Sequence, residues 1–413
     1  MRELFNDYVK SMTTYIMFKI KAAANKLRPE LEAKGRSPIF LSMGAPTAQP
    51  PKLLLDKLKE SMDIDGVHMY STPRGEAFFL EAIAKYMKRR FNVELDAKKE
   101  IAALIGSKEG LANFLRALIN PTLTEEDKEV IFVPDPGYAS YGQMVRIAGG
   151  KTFSIPLTPE NNYLPNLDEV WNSYIDNDGD PNKVKAVIIN YPNNPLGATA
   201  TREYYRHVLD FCKKHNVILM SDAAYADLYF DDNDRPFSIF EFEGAKDIAV
   251  EFYSFSKPFA MTGARAGWIC GNSEAIDELC VLKSTIDNGI YKPIQIACAE
   301  ILNTPEGDEY TRQANLELKR KQDIFVEGIK ELGWPDFYVP NSTFYLWMPI
   351  PPRYSSSKEF TDDLMKKSGI IAVPGHAYGD YGEGFFRVSI VCSEEKIREC
   401  INRMKEDGFY YSK

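Results

Sequence analysis

Short apolar runs alternate along the middle of the chain with longer segments of mixed apolar and polar residues. Five apolar runs in the middle have the length of a strand, at 101–105, 130–133, 184–189, 217–220 and 248–252. Most segments between them are long enough for a helix, and 201–215 spaces its apolar residues as a helix does. Strands that alternate with helices predict an α/β fold built on a mainly parallel sheet.

The pattern changes near residue 295. Beyond it, two segments with helical spacing precede two strand-like runs, at 296–302, 306–332, 343–348 and 386–391. This order predicts a smaller α+β domain over residues 295–413. We expect the N-terminal arm 1–45 to form part of this small domain, and residues 46–294 to form the large one.

The bulk composition is that of an ordinary globular protein. The 413 residues are 44% hydrophobic and 26% charged, and this length predicts two domains. The net charge of −9 and the lack of a long basic run argue against a nucleic-acid surface. No apolar stretch approaches the ~18 to 20 residues of a membrane span. Because the N-terminus also lacks the layout of a signal peptide, we expect a cytoplasmic protein.

Cysteine and histidine positions argue against disulfide and metal chemistry. The six cysteines have no CxxC spacing, and the four histidines form no metal-ligand pattern. Scattered thiols of this kind are typical of a reducing compartment. The sequence therefore predicts neither a disulfide framework nor a bound metal.

Polar clusters follow the ends of the five apolar runs. They occupy 106–110, 134–138, 190–195, 221–225 and 254–257. In an open parallel sheet, ligands bind outside the carboxyl ends of the strands. We therefore expect the five clusters to meet in one crevice.

Lys257 is the most informative residue of these clusters. It follows an apolar run, lies among small hydroxyl residues and precedes Arg265 by eight positions. This arrangement suits a lysine that forms an imine with an aldehyde cofactor, whose phosphate the hydroxyls and Arg265 would hold. For this segment alone, an ordinary surface lysine is the alternative.

Asp222 follows the run 217–220, which is apolar at every position and is therefore expected to be buried on both faces. A carboxylate at that depth needs a cationic partner, because desolvation of the lone charge is costly. A protonated pyridine nitrogen is such a partner, and its charge makes the ring an electron sink. Asn194 and Tyr225 would then hydrogen-bond the ring hydroxyl. The alternative for Asp222 is a helix N-cap.

Two weaker signals lie in the first two clusters. Ser107 and Lys108 begin an amphipathic helix, where backbone N–H groups favour a phosphate; a simple helix cap is the alternative. Tyr138 follows a Pro-Gly turn that would hold its ring against a planar ligand, and a core aromatic is the alternative.

The ordered motifs resemble those of the fold-type-I pyridoxal-phosphate aminotransferases of class I and II, over residues 40–391. They are Tyr191-Pro192-Asn193-Asn194-Pro195, Ser221-Asp222-Ala223-Ala224-Tyr225, Ser254-Phe255-Ser256-Lys257, Arg265 and Phe386-Arg387-Val388. The resemblance implies a large domain with a mainly parallel seven-stranded sheet between helices, plus a smaller α+β domain. It also implies pyridoxal 5'-phosphate as the cofactor.

The same resemblance implies a role for each matching residue. Lys257 would form the imine and later move a proton between the substrate's Cα and the cofactor's C4′ carbon, while Asp222 pairs with the ring nitrogen. Arg387 would grip the substrate's α-carboxylate, for which a planar guanidinium is apt. The other cofactor contacts would be Ser107, Lys108, Ser254, Ser256 and Arg265 at the phosphate, Tyr138 on the ring, and Asn194 and Tyr225 at the ring oxygen.

Four further positions complete the predicted site. Tyr70 resembles a tyrosine that reaches the phosphate of the neighbouring subunit, which implies a homodimer with shared sites. Gly44 and Asn288 lie in segments that resemble the substrate side of the family's site. Arg74 is a hypothesis from its place beside Tyr70: it would offer positive charge to a distal carboxylate across the dimer interface, with simple surface exposure as the alternative.

The substrate group is indicated by three segments similar to those of LL-diaminopimelate, alanine and aspartate aminotransferases, at 242–263, 287–295 and 378–384. We expect an amino group to move from an L-amino acid to a 2-oxo acid such as 2-oxoglutarate, by a ping-pong mechanism. LL-diaminopimelate, aspartate, and alanine or glutamate are the candidate amino acids. Pro73 stands where dedicated diaminopimelate enzymes resemble one another in carrying a glutamate.

Two alternatives stay open. A carbon–sulfur β-lyase or a racemase would use the same cofactor and scaffold. A non-enzymatic regulator with an aminotransferase-like domain would need an added basic helix-turn-helix domain. The roughly forty residues ahead of the expected core show no such unit.

Overall fold

The computed structural model of the protein describes residues 4, 9–10, 12, 16–122 and 124–412. Within these ranges the α-helices are α1 (Ile16–Ala33), α2 (Lys52–Ser61), α3 (Ala77–Phe91), α4 (Ser107–Leu118), α5 (Tyr141–Ala148), α6 (Leu167–Asp176), α7 (Arg202–His215), α8 (Ser273–Ile286), α9 (Lys292–Leu302), α10 (Pro305–Glu331), α11 (Ser357–Ser368) and α12 (Glu394–Glu406). The strands are β1 (Ile39–Phe40), β2 (Ile101–Leu104), β3 (Val130–Asp135), β4 (Lys151–Pro156), β5 (Val184–Asn190), β6 (Ile218–Asp222), β7 (Ala249–Ser254), β8 (Gly267–Gly271), β9 (Tyr345–Pro349), β10 (Ile370–Ile371), β11 (Val373–Pro374) and β12 (Phe385–Ser389).

Seven strands form the central sheet, in the order β2-β8-β7-β6-β5-β3-β4. The pairs from β7 through β4 are parallel. Strand β8 runs antiparallel to both of its neighbours, β2 and β7. The predicted α/β fold with a mainly parallel seven-stranded sheet is therefore confirmed.

Helices cover both faces of this sheet. Successive residues of a strand point to opposite faces, so each strand contributes side chains to two hydrophobic cores. In β2, Ile101 and Ala103 belong to a hydrophobic core shared with α2, α3, α6, α7 and α9. Ala102 and Leu104 belong to another core, shared with α4, α5 and α8. Burial on both faces explains why the strand runs are apolar at nearly every position.

The apolar pattern predicts five of these seven strands and misses β4 and β8. Strand β4 lies at the edge of the sheet and is partly exposed, so it carries polar residues. Strand β8 begins and ends with glycine. A Cβ atom on Gly267 would lie 3.0 Å from the backbone nitrogen of Ser107, so this glycine lets β8 pass close to the start of α4.

A further hydrophobic core lies in the C-terminal part of the chain. The antiparallel sheet β11-β12-β9 packs there with α10, α11 and α12. Strand β1 pairs with β10, which ties residues 39–40 to this part. These contacts support the predicted small domain, whose boundaries stay a prediction. Helix α9 crosses the predicted boundary at 294 and packs into the large core through Ala297 and Cys298, which favours a boundary after this helix.

Helix α10 is the longest helix of the described ranges, and it is strongly charged. Across those ranges, no helix combines the length and the apolar character that a membrane crossing would need.

Candidate active site

A cavity of about 400 Å³ lies at the carboxyl ends of the central strands. The sheet register places Asn190 of β5 opposite Asp222 of β6, so the polar clusters after these strands lie side by side. Twelve of the fifteen predicted site residues line this cavity: Gly44, Ser107, Lys108, Tyr138, Asn194, Asp222, Tyr225, Ser254, Ser256, Lys257, Arg265 and Arg387. Residues from all five predicted polar clusters thus meet where the strands end, together with Gly44, Arg265 and Arg387 from other parts of the sequence.

Asp222, the last residue of β6, is a buried carboxylate. The hydroxyl of Tyr141 donates to its Oδ2 at 2.6 Å, and the backbone N–H of Ala224 donates to Oδ1 at 3.3 Å. Burial raises the pKa of Asp222, and the hydrogen bond from Tyr141 opposes that shift. A buried carboxylate with so few donors is most stable beside a cation.

Lys257 lines the same cavity and is partly buried. Its Nζ donates to the backbone carbonyl of Gly44. Burial, together with the positive charges of Arg387 and Arg265, lowers the pKa of Lys257 to about 8, against the opposing effect of Asp222. The amine is therefore much closer to its neutral, nucleophilic form at physiological pH than an ordinary lysine is.

One end of the cavity has the features of a phosphate site. Helix α4 begins at Ser107, directly after Gly106, whose φ of +83° is a backbone conformation that favours glycine. The Arg265 guanidinium lies against this glycine and reaches Ser256 Oγ at 3.4 Å. Burial, together with Arg265, lowers the pKa of Lys108. Two cations that disfavour each other beside a helix N-terminus would both be stabilised by a bound dianion.

The opposite end of the cavity holds Arg387, which is buried on β12. Its Nη1 donates to Asn194 Oδ1 at 2.8 Å, and its Nη2 donates to the carbonyl of Ser42 at 2.9 Å. Its guanidinium carbon lies 4.2 Å from the centre of the Tyr345 ring and 5.0 Å from that of Tyr378. These contacts fix the plane of the guanidinium, as two-pronged carboxylate binding requires.

Tyr345 lines the cavity, although the sequence reads as a core strand at this position. Its hydroxyl lies 2.9 Å from that of Tyr225, and its ring packs on Arg387. A Cβ atom on Gly44 would lie 2.9 Å from the same hydroxyl, so Gly44 leaves room for it. The register of β9 and β12, which pairs Tyr345 with Ser389 and Trp347 with Arg387, is the signal that would have found it, since diagonal neighbours share a sheet face.

Four other residues that the sequence did not single out for the site also line the cavity: Met17, Leu111, Asn190 and Ala224. Met17 belongs to α1, so the N-terminal helix closes part of the cavity wall. Its side chain adds an apolar surface to the lining. Spacing along an amphipathic helix does not reveal such a contact, because any apolar residue of α1 would fit the same pattern.

The structure places three predicted residues away from the cavity. Tyr70 is 85% exposed, and Asn288 is also exposed. The guanidinium of Arg74 forms a salt bridge with Asp277 and donates to the carbonyl of Ile101 at 3.2 Å. The roles of Tyr70 and Arg74 concern an assembled dimer, and that of Asn288 concerns the bound substrate. All three stay predictions.

Comparison with known proteins agrees with this geometry. The family model for aminotransferase class I and II matches residues 36–404. The chain is 39% identical over 405 residues to an LL-diaminopimelate aminotransferase of Halothermothrix orenii, with 98% of this chain and 99% of the relative covered. Among solved structures, substrate-bound BacF of Bacillus subtilis has a TM-score of 0.89 at 30% identity and covers 98% of this chain and 97% of its own. An aspartate aminotransferase of Thermus thermophilus with maleate has a TM-score of 0.86 at 25% identity, covering 98% and 99%.

These similarities extend over almost the whole chain and include the segments that build the cavity. They confirm the predicted resemblance and the prediction of an enzyme. The chain belongs to the class I and II aminotransferases, a family of pyridoxal-phosphate-dependent transaminases.

Proposed function

We propose that this protein moves the amino group of an L-amino acid to a 2-oxo acid by a ping-pong mechanism, with pyridoxal 5'-phosphate bound in the cavity. One observation carries the proposal. The carboxylate of Asp222, the amine of Lys257 and the guanidinium of Arg387 all face one cavity, and burial shifts the pKa of both the carboxylate and the amine. Shifted groups of opposite charge in one cleft are typical of a catalytic site.

The side chains present fit this cofactor from its phosphate to its ring. When bound, pyridoxal phosphate supplies an electron sink that stabilises negative charge at the donor's Cα. Asp222 would hold the proton on the ring nitrogen, because its buried charge needs a cationic partner. The other cofactor contacts would be Ser107, Lys108, Ser254, Ser256 and Arg265 at the phosphate, Tyr138 along the ring, and Asn194 and Tyr225 at the ring oxygen.

Lys257 and Arg387 would act on the amino acid itself. Arg387 would bind the α-carboxylate with a guanidinium whose plane the neighbouring rings already fix. The neutral amine of Lys257 would then take the proton from the donor's Cα and give it to the cofactor's C4′ carbon. Because the pKa of Lys257 is about 8, the amine is suited to both halves of that transfer near neutral pH.

The donor is proposed from the relatives and from the cavity wall. The names of relatives at 34–39% identity make LL-diaminopimelate the first candidate. A second candidate is a donor without a distal ammonium, such as aspartate, glutamate or alanine. It is favoured because Asp222 is the one carboxylate among the described residues that line the cavity, and because Pro73 stands where a glutamate is expected in dedicated diaminopimelate enzymes.

We also propose a homodimer with shared sites. Around Tyr70 the surface exposes Met62, Ile64 and Met69, with exposed fractions of 47%, 48% and 71%. The hydroxyl of Tyr291 contacts His68 Nδ1 at 2.8 Å and continues this surface. Large apolar side chains exposed together are typical of a protein interface, and a second subunit would bring its Tyr70 towards this cavity.

A donor panel tests the proposed reaction. We expect the purified protein to convert 2-oxoglutarate to glutamate with LL-diaminopimelate, aspartate or alanine. Lys257→Ala should lower the rate roughly 10³-fold or more, because proton transfer at Cα loses its base. The exposed Lys214→Ala is the control and should keep the wild-type rate. Release of pyruvate and ammonia without a 2-oxo acid would contradict transamination and favour a β-lyase.

The lowered pKa of Lys257 is expected to set the pH dependence of cofactor uptake. The uptake rate should rise with pH and level off with a midpoint near pH 8, since only the neutral amine reacts and its pKa is about 8. Arg387→Met removes a charge that lowers this pKa and should move the midpoint to higher pH. The exposed Arg206→Met should leave it unchanged. Stopped-flow absorbance measures the midpoint, and a wild-type value near that of an ordinary lysine would refute the assignment.

Two substitutions of Tyr345 should separate its hydroxyl from its ring. Tyr345→Phe removes the hydrogen bond to Tyr225 and should lower kcat about fivefold with little change in donor KM. Tyr345→Leu also removes the ring from Arg387 and should raise donor KM about tenfold. Steady-state kinetics distinguishes these outcomes. Equal KM values for the two variants would show that the ring does not support Arg387.

Sedimentation analysis tests the dimer. The active protein should have twice the chain mass of 46.9 kDa. Met69→Asp places a charge on the proposed interface and should shift the protein towards monomer with loss of activity, because burying an unpaired charge is costly. Ile175→Asp, on the partly exposed face of α6, is the matched control and should remain dimeric. A fully active monomer would argue against shared sites.

A further inference from the structure

Lys283 is a wholly buried lysine outside the cavity wall. It lies in the last turn of α8, and its side chain has no exposed surface. Its Nζ contacts Glu109 Oε1 at 3.0 Å and Asp287 Oδ2 at 2.9 Å. Lysine is almost never fully buried unless it is paired, and here one ammonium serves two carboxylates.

Lys283, Glu109 and Asp287 form an ion cluster, and Glu109 connects this cluster to the start of α4. It lies in the first turn of that helix, two residues after Ser107. Its Oε2 accepts the backbone N–H of Ile105 at 2.8 Å, and its Oε1 also accepts from Asn113 at 2.7 Å. The carboxylate therefore closes the turn at the start of α4, where we propose that the cofactor's phosphate binds.

Asp287 connects the cluster to a second segment. Its Oδ1 accepts the backbone N–H of Gly289 at 2.7 Å. Gly289 has a φ of +83°, and a Cβ atom there would lie 2.1 Å from the carbonyl oxygen of Thr72. Asp287 thus fixes the segment after α8. The same segment packs tightly against Thr72, two residues after Tyr70.

A carboxylate in the first turn of α4 creates an electrostatic conflict. The positive end of a helix attracts carboxylates and phosphates alike, so Glu109 and a bound phosphate would compete for the same field. Two like charges so close would weaken the binding of the phosphate. The ammonium of Lys283 lies where it offsets the charge of Glu109 without occupying the cavity.

We propose that Lys283 is a positioning residue for the phosphate subsite. Its ammonium neutralises Glu109 at the start of α4 and, through Asp287, ties that helix to the segment packed on Thr72, so that the N–H groups after Gly106 can bind a phosphate dianion. This inference rests on the proposed function, because it takes the start of α4 as the place of the cofactor's phosphate.

Phosphate affinity tests the inference separately from activity. The full-length protein is titrated with inorganic phosphate and, in parallel, with pyridoxal phosphate at constant ionic strength. Lys283→Met should weaken the binding of both about tenfold or more, because the charge of Glu109 is left without its partner. Glu109→Gln, which keeps the size and the backbone contact, should bind phosphate at least as tightly as the wild type.

Lys283→Met should weaken phosphate binding and Glu109→Gln should not, and this difference distinguishes an electrostatic role from a structural one. Arg403→Met removes another buried cation with a partner four residues away, Glu399, and should lower thermal stability without changing phosphate affinity. Weaker phosphate binding by Glu109→Gln, or wild-type affinity in Lys283→Met, would overturn the proposal. If Lys283→Met does not fold, the sign of the Glu109→Gln effect decides alone.

The wild-type titration distinguishes a failure of the proposed function from a failure of the proposed role of Lys283. A wild-type protein that takes up no pyridoxal phosphate contradicts the proposed function itself. A wild type that binds the cofactor, together with variants that show equal affinities, contradicts only the role of Lys283.

Discussion

The arrangement of the site depends on one constraint: opposite charges are held in one small cavity but apart from each other. Asp222 is buried at the end of β6 with hydrogen bonds from Tyr141 and Ala224, and Lys257 and Arg265 line the same cavity. A ligand with a positive ring and negative ends would complete both sets of charges, which is the chemistry of the family to which the chain belongs.

The central sheet and the small antiparallel sheet, each packed against its own helices, together position these charges. Lys257 and Asp222 follow strands of the central sheet, whose faces are both covered by helices. Arg387 and Tyr345 come from the small antiparallel sheet. Tyr225 follows β6 in sequence but packs in the core of the small sheet, so it links the two parts at the cavity itself. The site therefore exists only when both parts fold against each other.

The sequence predicts those features that depend on local chemistry. Apolar runs mark strands buried on both faces, and polar residues after them mark the edge where ligands bind, which is why twelve of the predicted residues line one cavity. It does not predict features that depend on long-range contact. Strand β8 has too few apolar side chains to stand out, Tyr345 reads as core, and the salt bridge between Arg74 and Asp277 joins residues far apart in the chain.

Glycine positions show the same division. Gly106 lies in a motif that indicates a turn, and its positive φ agrees with that reading. Gly44 and Gly267 have no local signal, because their role is to let another segment approach closely. Such a role becomes visible only when the neighbouring atoms are known.

The repulsion between Arg387 and Lys257 has a consequence for the timing of the reaction. The positive charge of Arg387 lowers the proton affinity of the amine. An incoming carboxylate that binds the guanidinium would offset part of this charge and strengthen Lys257 as a base. Binding of the substrate would thus make Lys257 a stronger base, at the time when the proton on the donor's Cα is to be removed.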